Sequence, residues 1–197
     1  MRFQCKEYQM QLISYIFYLV YVAMAITPML IVFALRNEKV NLFMLNLDSL
    51  AFSVSVFLIA LLLSCSYICF IKKINKNIQS ETMKCSEIEI AEPKYIPIYI
   101  AYFVIALSIP KIEYNGWIVF WVIFAMIYLL ILKGKFSSFN PYILFCGYNF
   151  YEVLVDAGKD RTKYKIFLIS KQTIKSFKDN NNLIRLNDFT FLDKGDK

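Results

Sequence analysis

The chain has 197 residues, 58% of them hydrophobic and 17% aromatic, with a mean hydropathy of +0.49 and only 5 Gly and 5 Pro. That composition excludes a disordered or low-complexity polymer and points to a membrane domain with a small soluble part. The formal charge is +7 and there is no histidine, which removes Ser-His-Asp and Cys-His nucleophilic catalysis, HExxH zinc sites and most histidine metal centres together.

Four stretches contain no Asp, Glu, Lys or Arg: residues 12–35, 49–71, 95–110 and 114–132. The first two hold 24 and 23 residues, and at about 1.5 Å per residue each crosses a hydrocarbon core of about 30 Å. The first resembles a signal peptide up to Ala23-Met24-Ala25, but its apolar run continues through Pro28 and reads as one span with a proline kink. In the second, Ser49, Ser53, Ala60 and Ser64 fall on one helical face, a small-residue stripe that lets another helix approach closely, within one subunit or between subunits. Ser55, Ser64 and Ser66 either line a narrow pore or bond carbonyls of their own helix.

The third stretch, with Pro97 near one end and Pro110 at the other, is the shortest. With the fourth it reads as two further spans, a re-entrant hairpin being the rival. Tyr8, Tyr15, Tyr95, Tyr99 and Tyr114 crowd the ends of these runs, with Trp117 and Trp121 opening the fourth, as an interfacial aromatic belt would. Of the 22 Lys and Arg, 19 precede the first run, lie between the second and third, or follow the fourth. By the positive-inside rule both termini and the loop 72–94 are cytoplasmic. Five cysteines without regular spacing read as packing residues rather than a disulfide framework.

Within the loop, Glu87-Ile88-Glu89-Ile90 alternates like a short strand that joins the sheet of the tail. From residue 136 onward the helical runs give way to β-type segments. Residues 148–156 and 164–170 form a hairpin around 156–160; a turn at 180–182 leads into 183–186, and 189–192 closes the domain. About sixty residues make a marginal core that wants support from the bundle, a neighbouring subunit or a partner. The expected architecture is a membrane α-helical bundle of four transmembrane helices over residues 1–135, with a small C-terminal cytoplasmic β-rich domain over 136–197.

The tail carries twelve basic against seven acidic residues from Lys133 onward, concentrated in Lys159, Arg161, Lys163, Lys165, Lys171, Lys175 and Lys178. An anionic inner leaflet or an acidic partner protein suits this surface. Nucleic acid is disfavoured, because no recognised nucleic-acid motif accompanies the charge. The runs lack carboxylates, and no GxGxxG or GxxxxGK[ST] occurs, so charge-coupled transport and nucleotide turnover lose their equipment. Glu152 and Asp156 read as solvated strand residues rather than an acid–base pair. No enzyme activity, metal or cofactor is expected.

At the junction of bundle and tail stands Asn140-Pro141-Tyr142-Ile143-Leu144, followed by Gly147-Tyr148-Asn149-Phe150-Tyr151-Glu152-Val153. A chain of about 200 residues with four apolar runs, a β-type tail and this segment resembles KwaA, the membrane subunit of the Kiwa anti-phage defence system. The resemblance implies a non-catalytic sensor and scaffold in the bacterial inner membrane, a homo-oligomer of tetrameric kind. Its partner would be the cytoplasmic subunit KwaB, which binds phage DNA. For Asn140, Pro141, Gly147, Tyr148, Tyr151 and Glu152 the reading is either junction geometry, with Pro141 stopping a helix and Gly147 relieving a turn, or partner contact. A pore that depolarises the cell, lined by the serines of the second run, is the alternative function.

Overall fold

The computed structural model describes residues 2–36, 39–42, 45–74, 83, 85–109, 113–133, 139–155, 163–174, 183–187 and 189–194. Helix α1 (Arg2–Leu35) leads through a hairpin of β1 (Lys39–Leu42) and β2 (Leu45–Asp48) into α2 (Ser49–Ile74). The Asp48 carboxylate accepts from the Ala51 backbone N–H and caps α2. Strand β3 (Cys85–Ile90) precedes α3 (Glu92–Ser108) and α4 (Glu113–Lys133). The chain closes with α5 (Pro141–Phe145), β4 (Asn149–Val155), β5 (Tyr164–Ser170), β6 (Leu183–Arg185) and β7 (Thr190–Asp193).

Helix α1 is the hub. Its Phe17 and Tyr21 rings meet Phe70 and Tyr67 of α2, and Phe33 meets Trp117 and Phe120 of α4. Tyr99 of α3 bonds the Ala25 carbonyl, while the Arg36 guanidinium at the end of α1 donates to the Leu107 and Ile109 carbonyls at the end of α3. A cation is favourable there, because a helix C-terminus carries partial negative charge. These contacts set the directions: α1 and α3 run from the sheet end of the bundle to the hairpin end, and α2 and α4 return.

Among the described residues three helices are long and apolar enough to cross a membrane, within Tyr15–Leu35, Ser49–Ile74 and Gly116–Lys133. Helix α3, with 17 residues, is about 25 Å long and falls short of that length. The apolar side chains that α2, α3 and α4 turn outward, among them Leu50, Leu62, Val104, Val122 and Leu130, are more than half exposed, as suits a lipid solvent.

The sheet has the order β3-β4-β5-β7-β6. All pairs are antiparallel except β5–β7. Period-two alternation gives it two apolar faces. Phe150, Ile169, Ile184 and Leu192 pack with Tyr21, Val22, Tyr67, Ile68 and Ile71 of the bundle. Tyr151, Val153, Val155, Ile166, Leu168, Leu183 and Phe191 form a second core on the opposite face. The strand expected at 87–90 is present and pairs with β4 at the edge of the sheet. The turns expected at 156–160 and 180–182, and residues 111 and 112 of the linker, lie outside the described residues.

The reading of the cysteines fails. Cys65 of α2 is bonded to Cys146, just after α5, while Cys69 is free and exposed. The physical reason is a fold-back, invisible in the spacing, that carries α5 alongside α2.

Phe191 is fully buried on the face away from the helices. Phe191→Ala should cost about 3–4 kcal/mol. Amide hydrogen exchange should show faster exchange in β4 and β5, with α1 and α2 unchanged.

Candidate functional site

Pro28 lies inside α1. Having no N–H, it leaves the carbonyl four residues earlier, that of Met24, without its helical donor. In a bilayer no water completes that bond, and the protein must supply a donor itself. The Thr27 hydroxyl donates to the Met24 carbonyl at 2.7 Å. With its proton so committed, Thr27 accepts from the Tyr142 hydroxyl at 2.7 Å. The hydroxyl that mends the first helix is thus bonded to a side chain 115 residues away, from the short helix that begins the tail.

The same stretch of α1 receives donors from α3, α4 and the tail. Tyr99 of α3 donates to the Ala25 carbonyl at 2.9 Å, Tyr128 of α4 to Leu19 at 3.1 Å, and the Asn140 amide to Tyr21 at 3.3 Å. Asn140, fully buried, also donates to Ser64 Oγ of α2 at 2.9 Å and accepts from the Tyr142 backbone N–H at 3.0 Å as the N-cap of α5. One asparagine therefore ties α1, α2 and α5 together.

The depth of α5 follows from its partners. Thr27 stands eight residues before the end of α1, about 12 Å from the hairpin end. Phe57, whose ring contacts Tyr142 and Phe145, stands eight residues into α2, at the same level. The α5 side chains therefore reach the middle of the bundle. Pro141 opens α5 at its first turn, where a missing N–H costs nothing, rather than stopping a helix. Gly147 ends it with φ +77°, its N–H on the Leu144 carbonyl, a left-handed cap that favours glycine.

The sheet is fastened at the start of α3 as well. Ala91 N–H donates to the Phe150 carbonyl, and the Glu92 carboxylate accepts from Phe150 N–H, both at 2.9 Å. Beside them Lys94 bridges Glu89 at 2.7 Å and Glu152 at 2.5 Å, and Lys165 lies 3.4 Å from Glu152. Hydrogen bonding and charge from Lys94 hold the Glu89 carboxyl below its ordinary range, and the bonds to Glu152 and Glu89 raise the Lys94 ammonium.

The expected site residues divide between these places. Ser49, Ser53, Ala60 and Ser64 are all buried within the single chain. Ser64 serves Asn140, whereas Ser55 and Ser66 bond the Ala51 and Leu62 carbonyls of their own helix. Tyr151 lies on the far face of the sheet and accepts from Ile174 N–H. Tyr148 lies under two lysines, Lys72 and Lys171. Lys163 is exposed, and Lys159, Arg161, Lys175 and Lys178 lie outside the described residues.

Sequence reasoning missed Thr27, Tyr99 and Tyr142. A hydroxyl residue beside a mid-span proline is a signal that could have found the first. Tyr99 could not be told from a belt residue, although it points into the bundle, and Tyr142 stood in the junction segment without a sign of its partner.

Apolar helices carrying a sheet keyed into their middle define a membrane-associated protein with bundle and tail joined into one unit. The chain belongs to the KwaA family: the family model for anti-phage protein KwaA matches residues 17–192, from the bundle through the last strand. No curated protein and no solved structure gives a significant match.

Asn140→Ala should lower thermal stability in detergent by about 2–3 kcal/mol, through loss of the cap and of two buried bonds. Tyr142→Phe should cost only about 1 kcal/mol, because Thr27 keeps its own donation to Met24. For the charged cluster, the lowered Glu89 contributes above the ordinary carboxylate value of about 4.3, and its contribution fades as pH falls through the folded value. The raised Lys94 contributes below about 10.4 and its share fades as pH rises through the folded value. Hydrogen-exchange protection of β3 should therefore be flat from about pH 5 to 10 and fall in acid, and Lys94→Ala should reduce the acid-dependent part, Lys165 retaining a share.

Proposed function

We propose that the chain is a non-catalytic sensor and scaffold of bacterial anti-phage defence. In this reading four helices cross the inner membrane with both termini cytoplasmic. The chains associate as an oligomer, a tetramer by family resemblance, and the sheet recruits or regulates a cytoplasmic DNA-binding effector of the KwaB kind. The observation that carries it is the bond from Tyr142 through Thr27 to Met24. A change in bilayer thickness or tension shifts helix packing through hydrophobic mismatch. A bend at Pro28 then acts on α5, which is continuous with β4, so the bundle need not contact the effector to move its docking surface. The excess of basic residues on the sheet side supports the orientation, and the absence of histidine supports a role without chemistry.

Burial of Ser53 and Ala60 inside the chain weighs against the pore, because neither is free to line a passage between subunits.

The test is phage protection in cells expressing the chain together with its effector. Asn140→Ala and Tyr142→Leu, if still inserted in the membrane, should lower the protection by about tenfold or more, a coupling-sized effect, while the effector still co-purifies. Full protection by these variants, or stable ion conductance of the wild-type chain in reconstituted bilayers, would overturn the reading.

A further inference from the structure

The last turn of α2 carries Lys72 and Lys73. Lys72 Nζ lies 5.2 Å from the centroid of the Tyr148 ring, and Lys171 Nζ, from the residue after β5, lies 5.1 Å from the same centroid. An aromatic face attracts cations through its quadrupole, but a quadrupole is not a counter-charge. Neither ammonium makes a salt bridge among the described residues. The carboxylate acting on Lys72, beside the Cys69 thiol, is that of Asp193, which already accepts from the Ser170 hydroxyl at 2.6 Å. Two cations thus meet on one ring with a single, already engaged carboxylate opposing them.

Their position decides what anion fits. Lys72 stands 23 residues beyond Ser49, about 35 Å along the helix, so its ammonium emerges just past a hydrocarbon core of about 30 Å, at headgroup level. Leu58, Leu62 and Cys69 precede it on the same helical face and are exposed, an apolar strip along which an acyl chain can lie.

We propose that Lys72 and Lys171, gathered on Tyr148, bind the phosphate of an anionic phospholipid headgroup, which fastens the sheet to the end of α2. The site needs only that α2 cross the bilayer; it stands whether or not the chain senses phage.

The test uses the full-length protein in detergent, titrated with short-chain phosphatidylglycerol or phosphatidylcholine and read by native mass spectrometry. Wild type should prefer phosphatidylglycerol by about tenfold or more, the scale expected for two basic groups at a membrane surface. The double variant Lys72→Gln/Lys171→Gln should lose that preference, and Lys163→Gln should keep it. Tyr148→Trp, which preserves a ring, should keep it, and Tyr148→Leu should weaken it. Hydrogen exchange in β4 and β5 certifies that each variant is folded. A folded double variant with undiminished preference overturns the proposal. So does an equal loss in Lys163→Gln, which would mean diffuse charge, or displacement of the lipid by millimolar inorganic phosphate, which would mean a free-anion site.

Discussion

A carbonyl that lipid cannot hydrate governs this structure. Pro28 orphans the Met24 carbonyl in the middle of an apolar helix, where an unsatisfied polar group costs several kcal/mol. The remedy begins locally and reaches further. Thr27 donates to it, and Tyr142 completes Thr27 from the other end of the sequence. The defect in α1 becomes a point at which the tail is bonded to the bundle.

Once α5 is inserted, the rest of the junction has little freedom. Asn140 must cap the short helix and bond both α1 and α2, because each of its polar atoms is buried. Gly147 must turn the chain back toward the sheet. The sheet is then set against the bundle by the apolar contacts of Phe150, Ile169 and Leu192 and by the continuity of β3 with α3. Two points of attachment, α5 in the interior and the start of α3 at the edge, join bundle and sheet.

The attachments differ in kind. The interior one is built of neutral hydrogen bonds in a low-dielectric setting, where each is costly to break. The edge one adds Lys94, Glu89 and Lys165, exposed enough that salt and water screen them, around the more buried Glu152. A stimulus that alters helix packing therefore acts on the first, and ionic conditions act on the second.

Period and charge along the chain were enough to place the two long helices, the β4–β5 hairpin, β6, β7 and the joining of β3 to the tail sheet, because burial repeats every 3.6 residues in helices and every two in strands. They also marked Asn140, Pro141, Gly147 and Tyr148 as a junction. Position alone could not say that Asn140 lies in the interior, that Tyr99 turns inward, that Cys65 meets Cys146 or that β5 and β7 run parallel. Each of these is a pairing between residues far apart in sequence, and only the tertiary structure brings together a proline-broken helix and the tyrosine bonded beside the break.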